Sequence, residues 1–236
     1  MKFDYFSPDE KNRLSVFASA ANTDRDSYYG PGNDPLKAYG KTTDLTAMGG
    51  AQYVHTFDKC FFMPSDLTAG LEYNRDRLKD NMWGYNRHTD QTVNIYSAFL
   101  QNEWKNDRWG ILIGGRLDKH NMVDNVIFSP RANLRFNPTQ NINLRLSYSS
   151  GFRAPQAFDE DMHIENVGGT VAMIERAKDL KEEKSQSFSV SADMYHRFGA
   201  FQTNLLIEGF YTRLTDVFVL GKPYDRGDGI LSLIHI

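Results

Sequence analysis

The chain has 236 residues, with 30 acidic and 27 basic side chains, a net charge of -3 and a mean hydropathy of -0.55. That balance gives no support to nucleic-acid binding, which needs a clearly basic surface, and no apolar run approaches the ~18 residues of a transmembrane helix. A membrane β-barrel passes the same test, because its strands alternate and average out to polar.

The first residues, Met1 to Lys11, carry no apolar h-region, so no signal peptide is visible. The expectation is either a cytoplasmic protein or a chain whose start lies elsewhere. Alternation of period 2 begins next, the mark of strands with two unlike faces. Leu14, Val16, Ala18 and Ala20 oppose Arg13, Ser15 and Ser19, with Phe17 as an exception. A long connection is expected over residues 23–42 and a less regular strand over 44–57. A turn over 58–65 contains Cys60, the lone cysteine, which can form no internal disulfide. Leu67, Ala69, Leu71 and Tyr73 then oppose Thr68, Gly70, Glu72 and Asn74. After a second long connection, 75–91, come Tyr96, Ala98, Leu100 and Trp104 against Ser97, Gln101 and Glu103.

The turn KNDR (105–108) leads to Trp109, Ile111, Ile113 and Leu117, set against Gly114, Arg116 and Asp118. Residues 120–125 read as the shortest of the long connections. Phe128, Ala132, Leu134 and Phe136 then oppose Ser129, Arg131, Asn133 and Arg135. The turn NPTQN (137–141) precedes Leu144, Leu146 and Tyr148 against Asn143, Arg145 and Ser147. Residues 152–183 read as a long loop in which 171–183 has helix-like composition and suggests a short helix. Phe188, Val190, Ala192 and Met194 against four polar residues, the turn RFGA (197–200) and a looser run over 201–214 complete about nine strands. Residues 230–236 (ILSLIHI) break the pattern and read as a tail foreign to it or the start of another strand.

Short, polar turns thus alternate with longer connections, as in an antiparallel up-and-down meander with one short-turn side. Outer-membrane barrels have this asymmetry, with short periplasmic turns and long extracellular loops. Aromatic residues gather at the short turns: Trp104, Trp109, Phe136, Tyr195, Phe198 and Phe201. They would form a girdle at one membrane interface. Arg116, Arg131, Arg135 and Arg145 all fall on the polar face, which a water-filled lumen tolerates. A soluble β-sandwich explains the alternation alone, but not the alternating connections or the turn-side aromatics.

Catalytic and metal patterns are missing from the sequence. The six histidines show no HExxH spacing and no CxxC pair is present. No GxSxG elbow or phosphate-cradling glycine motif occurs, so neither catalytic residue, cofactor nor metal ligand is expected. The acidic stretch FDEDMHIE (158–165) lacks EF-hand spacing and reads as a solvated loop.

The run from Ser129 to Tyr195 is more specific. It carries SPR-x-N-L (Ser129, Pro130, Arg131, Asn133, Leu134), a polar turn, L-R-x-S-Y (Leu144, Arg145, Ser147, Tyr148), GFRAP (Gly151 to Pro155) and L-K-x-E-K-S (Leu180, Lys181, Glu183, Lys184, Ser185). In this order the segments resemble the barrel of TonB-dependent outer-membrane receptors, and residues 44–214 fit the same barrel more loosely. Ala177–Lys178–Asp179 and Glu182 stand where the family often has Asn-Pro and Pro. The resemblance implies a transmembrane β-barrel of all-β class in the outer membrane of a Gram-negative cell. It implies active uptake of a scarce nutrient: a ferric siderophore, haem, cobalamin or a glycan. The implied partners are that small-molecule ligand, outer-membrane lipid and the TonB energy-coupling complex acting through a plug domain. Such receptors have a signal, a coupling box, a plug and about 22 strands. The expectation is therefore a partial barrel over 1–229, with 230–236 set apart. A passive porin, a barrel enzyme and a soluble adhesin are the alternatives.

For ligand contact the aromatic and polar residues of the long connections are the candidates: Tyr28 and Tyr29 in one, Trp83, Tyr85, Arg87 and His88 in the next. Such side chains suit a flat ligand. Arg153 of GFRAP reads either as an anchor for an anionic ligand or as a pin between the loop and the inner wall.

Overall fold

The computed structural model describes residues 1–28, 39–83, 87–156, 165–167, 170–176, 180–219, 224–225 and 230–235. Ten strands form one antiparallel sheet, each hydrogen-bonded to its neighbours in sequence order. They are β1 (Lys2–Phe6), β2 (Asn12–Tyr28), β3 (Tyr39–Cys60), β4 (Met63–Met82), β5 (Arg87–Lys105), β6 (Trp109–His120), β7 (Ile127–Thr139) and β8 (Ile142–Arg153). Between β8 and the next member lie two short strands, β9 (Glu165–Val167) and β10 (Thr170–Arg176). The sheet resumes with β11 (Glu183–Phe198) and β12 (Phe201–Thr215). Two further segments, β13 (Tyr224–Asp225) and β14 (Ile230–His235), join β9 and β10 in a separate four-stranded sheet.

Three expectations change. The sheet has one more strand than the nine read from the sequence, because β1 alternates Phe3 and Tyr5 against Lys2 and Asp4 and pairs with β2. The described residues of 171–183 do not form the short helix expected there: β10 is a strand, antiparallel to β9 and parallel to β14. Backbone partners on both sides outweigh a weak helical composition. Among the described residues, the long connections expected at 23–42 and 75–91 are strand apart from Trp83. β2 to β5 are 17 to 22 residues long, whereas about 9–11 tilted residues cross a bilayer core.

Register defines two faces. One row runs Val16, Ala51, Leu71, Ala98, Leu117 and Phe128. Another runs Ile111, Leu134, Leu146 and Val190. This face is apolar yet solvent-facing: Leu71 is 65% exposed, Ile113 56% and Leu146 52%. The buried apolar side chains lie elsewhere, as in Val123, Ile127 and Ala154 beside the loop end of the sheet. A sheet that turns its large aliphatic side chains outward is built to meet an apolar medium.

Two aromatic levels bound that face. At the short-turn end Phe62 stacks on Trp104 at 5.7 Å, and the Trp104 indole donates to the Cys60 carbonyl at 3.0 Å. Trp109 stacks on Phe136 at 4.2 Å. At the other end Tyr73 and Tyr96 pack at 4.9 Å. From Trp104 to Tyr96 is nine residues inclusive, matching one tilted crossing. Between these levels β4, β5 and β6 carry no Asp, Glu, Lys or Arg on this face. Tyr195 departs from the expected girdle, because its register places it on the polar face, where its hydroxyl donates to Asp193.

The opposite face is polar. Arg116, Arg131, Arg135 and Arg145 all lie on it, as the alternation requires. Phe17, the exception in its run, also lies here, and its ring covers the position where a Cβ on Gly50 would sit. Phe99 occupies the matching space at Gly70. Each glycine makes room for an aromatic ring on an otherwise hydrophilic wall.

Candidate functional site

Beyond the Tyr73–Tyr96 level the four strands β2 to β5 continue as a wall. On its outward side the apolar rows give way to charge, with Asp24, Thr43, Lys79 and Asp90 in one row and Asp26, Lys41, Asn81 and His88 in the next. At the tip the Tyr28 and Tyr39 rings meet edge to face at 5.1 Å. The register places both, with His88, on the same side as Leu14 and Leu71. Tyr28 and His88 therefore face away from the polar wall. The His88 ring lies 2.9 Å from the Asn81 side-chain oxygen.

The inward side of the same wall is closed by a polar knot. Asp80 is 1% exposed. Its carboxylate accepts from Thr42 Oγ1 at 2.7 Å and from Arg87 Nε and Nη2 at 3.1 and 2.9 Å. Met82 is buried too, its sulfur lying where Gly40 has no side chain. Arg87 is thus engaged in holding β3, β4 and β5 together. Trp83, at the end of the β4 extension, is 57% exposed. Tyr29 and Tyr85 lie outside the described residues, as do 158–164 of the acidic stretch.

Arg153 stands at the end of β8 opposite Glu183. Its guanidinium lies 3.9 Å from the Glu183 carboxylate and 5.8 Å from the centre of the Phe218 ring. The Phe218 amide donates to the other oxygen of Glu183. Beside it, Phe152 packs on the buried Val123, Ile127 and Ala154. The GFRAP segment thereby ties β8 to β11 and to the loop at 121–126.

That loop is set by His120, which is 1% exposed. The Met122 amide donates to Nδ1 at 3.0 Å, and Nε2 faces the Gln156 side-chain oxygen at 3.2 Å. The proton therefore sits on Nε2 and the ring is neutral. Burial pushes its pKa below the usual 6.5, against the opposing pull of Gln156 and Asp118. A lowered native pKa means that the unfolded loop binds the proton more readily. The contribution is present above about 6.5 and is lost as pH falls towards the lowered native value. Amide exchange at Met122 and Val123 is expected to accelerate as pH drops from 7.5 to 5.5, after correction for intrinsic rates, and to become pH-independent in His120→Gln.

Lower on the polar wall lies a network invisible to spacing arguments. Arg116 pairs with Glu72 at 2.6 Å and with Asp118 at 2.8 Å, and Ser97 donates to Asp118 at 2.6 Å. These residues come from β4, β5 and β6, so only the sheet register brings them together. A concavity beside them is lined by Gln52, Phe99, Gln101, Arg131 and Ser149. Among the described residues no group of His, Cys, Asp and Glu could hold a metal ion.

Residues 2–230 match the family described as TonB dependent receptor-like, beta-barrel. The probable hemoglobin and hemoglobin-haptoglobin-binding protein 3 of Haemophilus influenzae is 24% identical over 187 residues, 78% of this chain and 16% of the relative. Among solved structures, a variant of the ferric enterobactin receptor of Pseudomonas aeruginosa, in complex with enterobactin, superposes with a TM-score of 0.71 at 17% identity. It covers 99% of this chain and 38% of the receptor. The siderophore receptor PirA of Acinetobacter baumannii gives 0.67 at 16% identity, covering 95% and 37%. The chain spans well under half the length of each of these proteins. The outward apolar belt, the two aromatic levels and the family match over nearly the whole chain agree: the chain belongs to the TonB-dependent receptor β-barrel family, a family of outer-membrane receptors rather than enzymes.

Proposed function

We propose that this chain forms part of the wall of an outer-membrane receptor that takes up an iron carrier, a ferric siderophore or haem, with energy from the TonB complex. The family match over residues 2–230 carries the reading. A haemoglobin-binding relative and siderophore-receptor neighbours favour an iron carrier over cobalamin or a glycan. The outward apolar face meets lipid, the polar face meets the lumen and the plug, and the extended strands stand outside the cell. The outermost members of the ten-stranded sheet, β1 and β12, need further strands of the receptor beside them, because unpaired edges are not tolerated in hydrocarbon. Ligand contact is assigned to Trp83 at the wall tip together with Tyr29 and Tyr85. Tyr28 and His88 turn outward, and Arg87 and Arg153 serve the wall itself.

Growth tests the reading. A strain lacking its own iron receptors, supplied with the full-length gene, is expected to grow on one ferric siderophore or on haem as sole iron source, only when TonB is present. Growth that persists without TonB would identify a passive porin. Cysteine labelling in intact cells fixes the topology in parallel: His88→Cys should react with an impermeant thiol reagent, whereas Asn106→Cys and the native Cys60 should stay silent.

A further inference from the structure

The polar face of the sheet is uneven from strand to strand. Over β4 to β6 its cations are matched by carboxylates of the wall: Arg87 with Asp80, Lys105 with Asp66, and Arg116 with Glu72 and Asp118. Over β7, β8, β11 and β12 three adjacent rows read differently. Arg131, Ser149, Ser187 and Thr212 form the first row. Asn133, Ser147, Ser189 and Phe210 form the second, and Arg135, Arg145, Ser191 and Glu208 the third.

A serine ends just past Cβ, so β8 and β11 make the floor of a trough between longer side chains. The floor hydroxyls bond one another, Ser147 to Ser189 and Ser187 to Thr212, the latter at 3.0 Å, and each oxygen keeps acceptor capacity. On the β7 side Arg131 is exposed, and its cross-strand neighbours are Gly114 and Ser149, neither of them acidic. Arg145 is exposed too, between Arg135 and Ser191, and its Nε donates to the neutral Asn143 at 2.6 Å. Asp193, the next inward residue after Ser191, already accepts from Tyr195 at 3.0 Å and from Asn204. On the β12 side Phe210 is 86% exposed, unlike Phe17 and Phe99, whose rings cover Gly50 and Gly70. Hollows mark both ends of the trough: one reaches Arg131 and Ser149, and the other is lined by Asn143, Arg145, Asp193 and Tyr195.

From β7 to β12 is three inter-strand spacings, about 14 Å. Guanidinium groups stand at one margin and an aromatic ring at the other, with hydroxyls between. A guanidinium donates charge-assisted hydrogen bonds to anionic oxygens, and an exposed phenylalanine ring packs on another aromatic group. Glu208 lies on the β12 side, so an anion is drawn to the β7–β8 margin and repelled from the other. We infer that this trough is a second binding site inside the lumen, and that it takes an anionic, aryl-bearing iron carrier. That assignment rests on the uptake reading above, and it adds the chemistry of the carrier and the sector of wall it follows inward.

The test follows iron-55 entering cells that carry the full-length receptor, supplied as ferric enterobactin, as haem or as a neutral aliphatic ferric hydroxamate. With wild type, one of the two anionic aryl carriers is expected to enter and the hydroxamate is not. Arg131→Gln/Arg145→Gln should slow that entry on the order of tenfold, while binding at the surface of a TonB-lacking strain is kept. Arg131→Lys/Arg145→Lys should retain most of the rate. Ser147→Trp/Ser189→Trp fills the floor and should block entry, whereas Ser19→Trp, on the polar face of β2, should not. Equal entry in wild type and a folded double Gln variant would overturn the trough and leave the uptake reading standing. Entry of the hydroxamate as fast as the anionic carriers would do the same. Loss of surface binding along with entry in the Gln variant would place these arginines in the outer ligand site and also overturn the trough. Entry of none of the three carriers would overturn both readings. Heat-modifiable mobility on a gel reports folding independently. Where a variant does not fold, Ser189→Cys in a Cys60→Ser background decides. The carrier that enters should shield this cysteine from a thiol reagent in respiring cells and leave Ser19→Cys reactive, and equal labelling with and without it would overturn the trough.

Discussion

Leu146→Arg is expected to lower the amount of folded full-length receptor in the outer membrane, while Arg145→Leu leaves it near normal. The two residues are adjacent on β8, so they share depth and backbone and differ in face. Leu146 lies between Leu134 and Val190 on the outward side and is 52% exposed. A guanidinium there enters hydrocarbon, at a cost of about 2–4 kcal/mol near the midplane and less towards an interface. Leu146 is one row inside the Trp109–Phe136 level, so the lower part of that range applies. Ile113→Arg, one row deeper beside Ala132, should cost more. Arg145 lies on the wet side, opposite Arg135 and Ser191, with Nε donating to Asn143 at 2.6 Å. Removing it relieves a like-charge neighbour and leaves no buried acid behind. Heat-modifiable mobility, with the folded fraction ranked Arg145→Leu above Leu146→Arg above Ile113→Arg, is the expected readout. Equal folding of all three would remove the lipid from the outward face.

The faces were legible because a period of 2 is imposed by the backbone itself. Once Leu134 or Leu146 is assigned outward, every second residue follows, and the four arginines fell on the polar wall as read. The short turns were legible for a similar local reason: KNDR and RFGA offer little to pack and much to solvate, and Gly199 adopts a positive φ of 58°. Strand length was not legible. Above Tyr73 the alternation of apolar and polar gives way to charge on both sides, so residues 75–82 look like a loop although β4 runs to Met82. Their strand character comes from cross-strand bonds to β3 and β5, which no single segment encodes. The same limit hid the Arg116–Glu72–Asp118 network and the partnership of Asp80 with Arg87. It also kept from view how the candidate ligand residues sit on the wall. Tyr28, Arg87 and His88 were grouped by proximity in sequence and residue type, but register sends Tyr28 and His88 outward and Arg87 into the wall. The β1 strand had the right alternation in KFDYF but too few residues to stand out.

Asp80→Leu is expected to unfasten the extension of β3 to β5 beyond the Tyr73–Tyr96 level without dissolving the apolar belt below it. Asp80 is almost fully buried, and the Arg87 side chain is 12% exposed. Replacing the carboxylate with an aliphatic group removes both oxygens that organise Thr42 and Arg87. The Arg87 guanidinium then stays in the wall without its counter-ion, and such a broken buried pair costs about 3–5 kcal/mol. Water can enter at the hairpin tip, which places the effect towards the lower end. Removing both members together should be milder than removing Asp80 alone, because Asp80→Leu/Arg87→Met leaves no buried charge. The penalty is local, since the belt rows from Leu67 to Tyr73 make none of these bonds. Heat-modifiable mobility should therefore survive in Asp80→Leu, while amide exchange over residues 75–82 and 87–94 speeds up by on the order of a hundredfold, the factor that corresponds to ~3 kcal/mol. The double variant should recover much of that protection. Unchanged exchange in Asp80→Leu would show that the knot adds nothing to the wall, and loss of heat-modifiability would show that extension and belt fold as one unit.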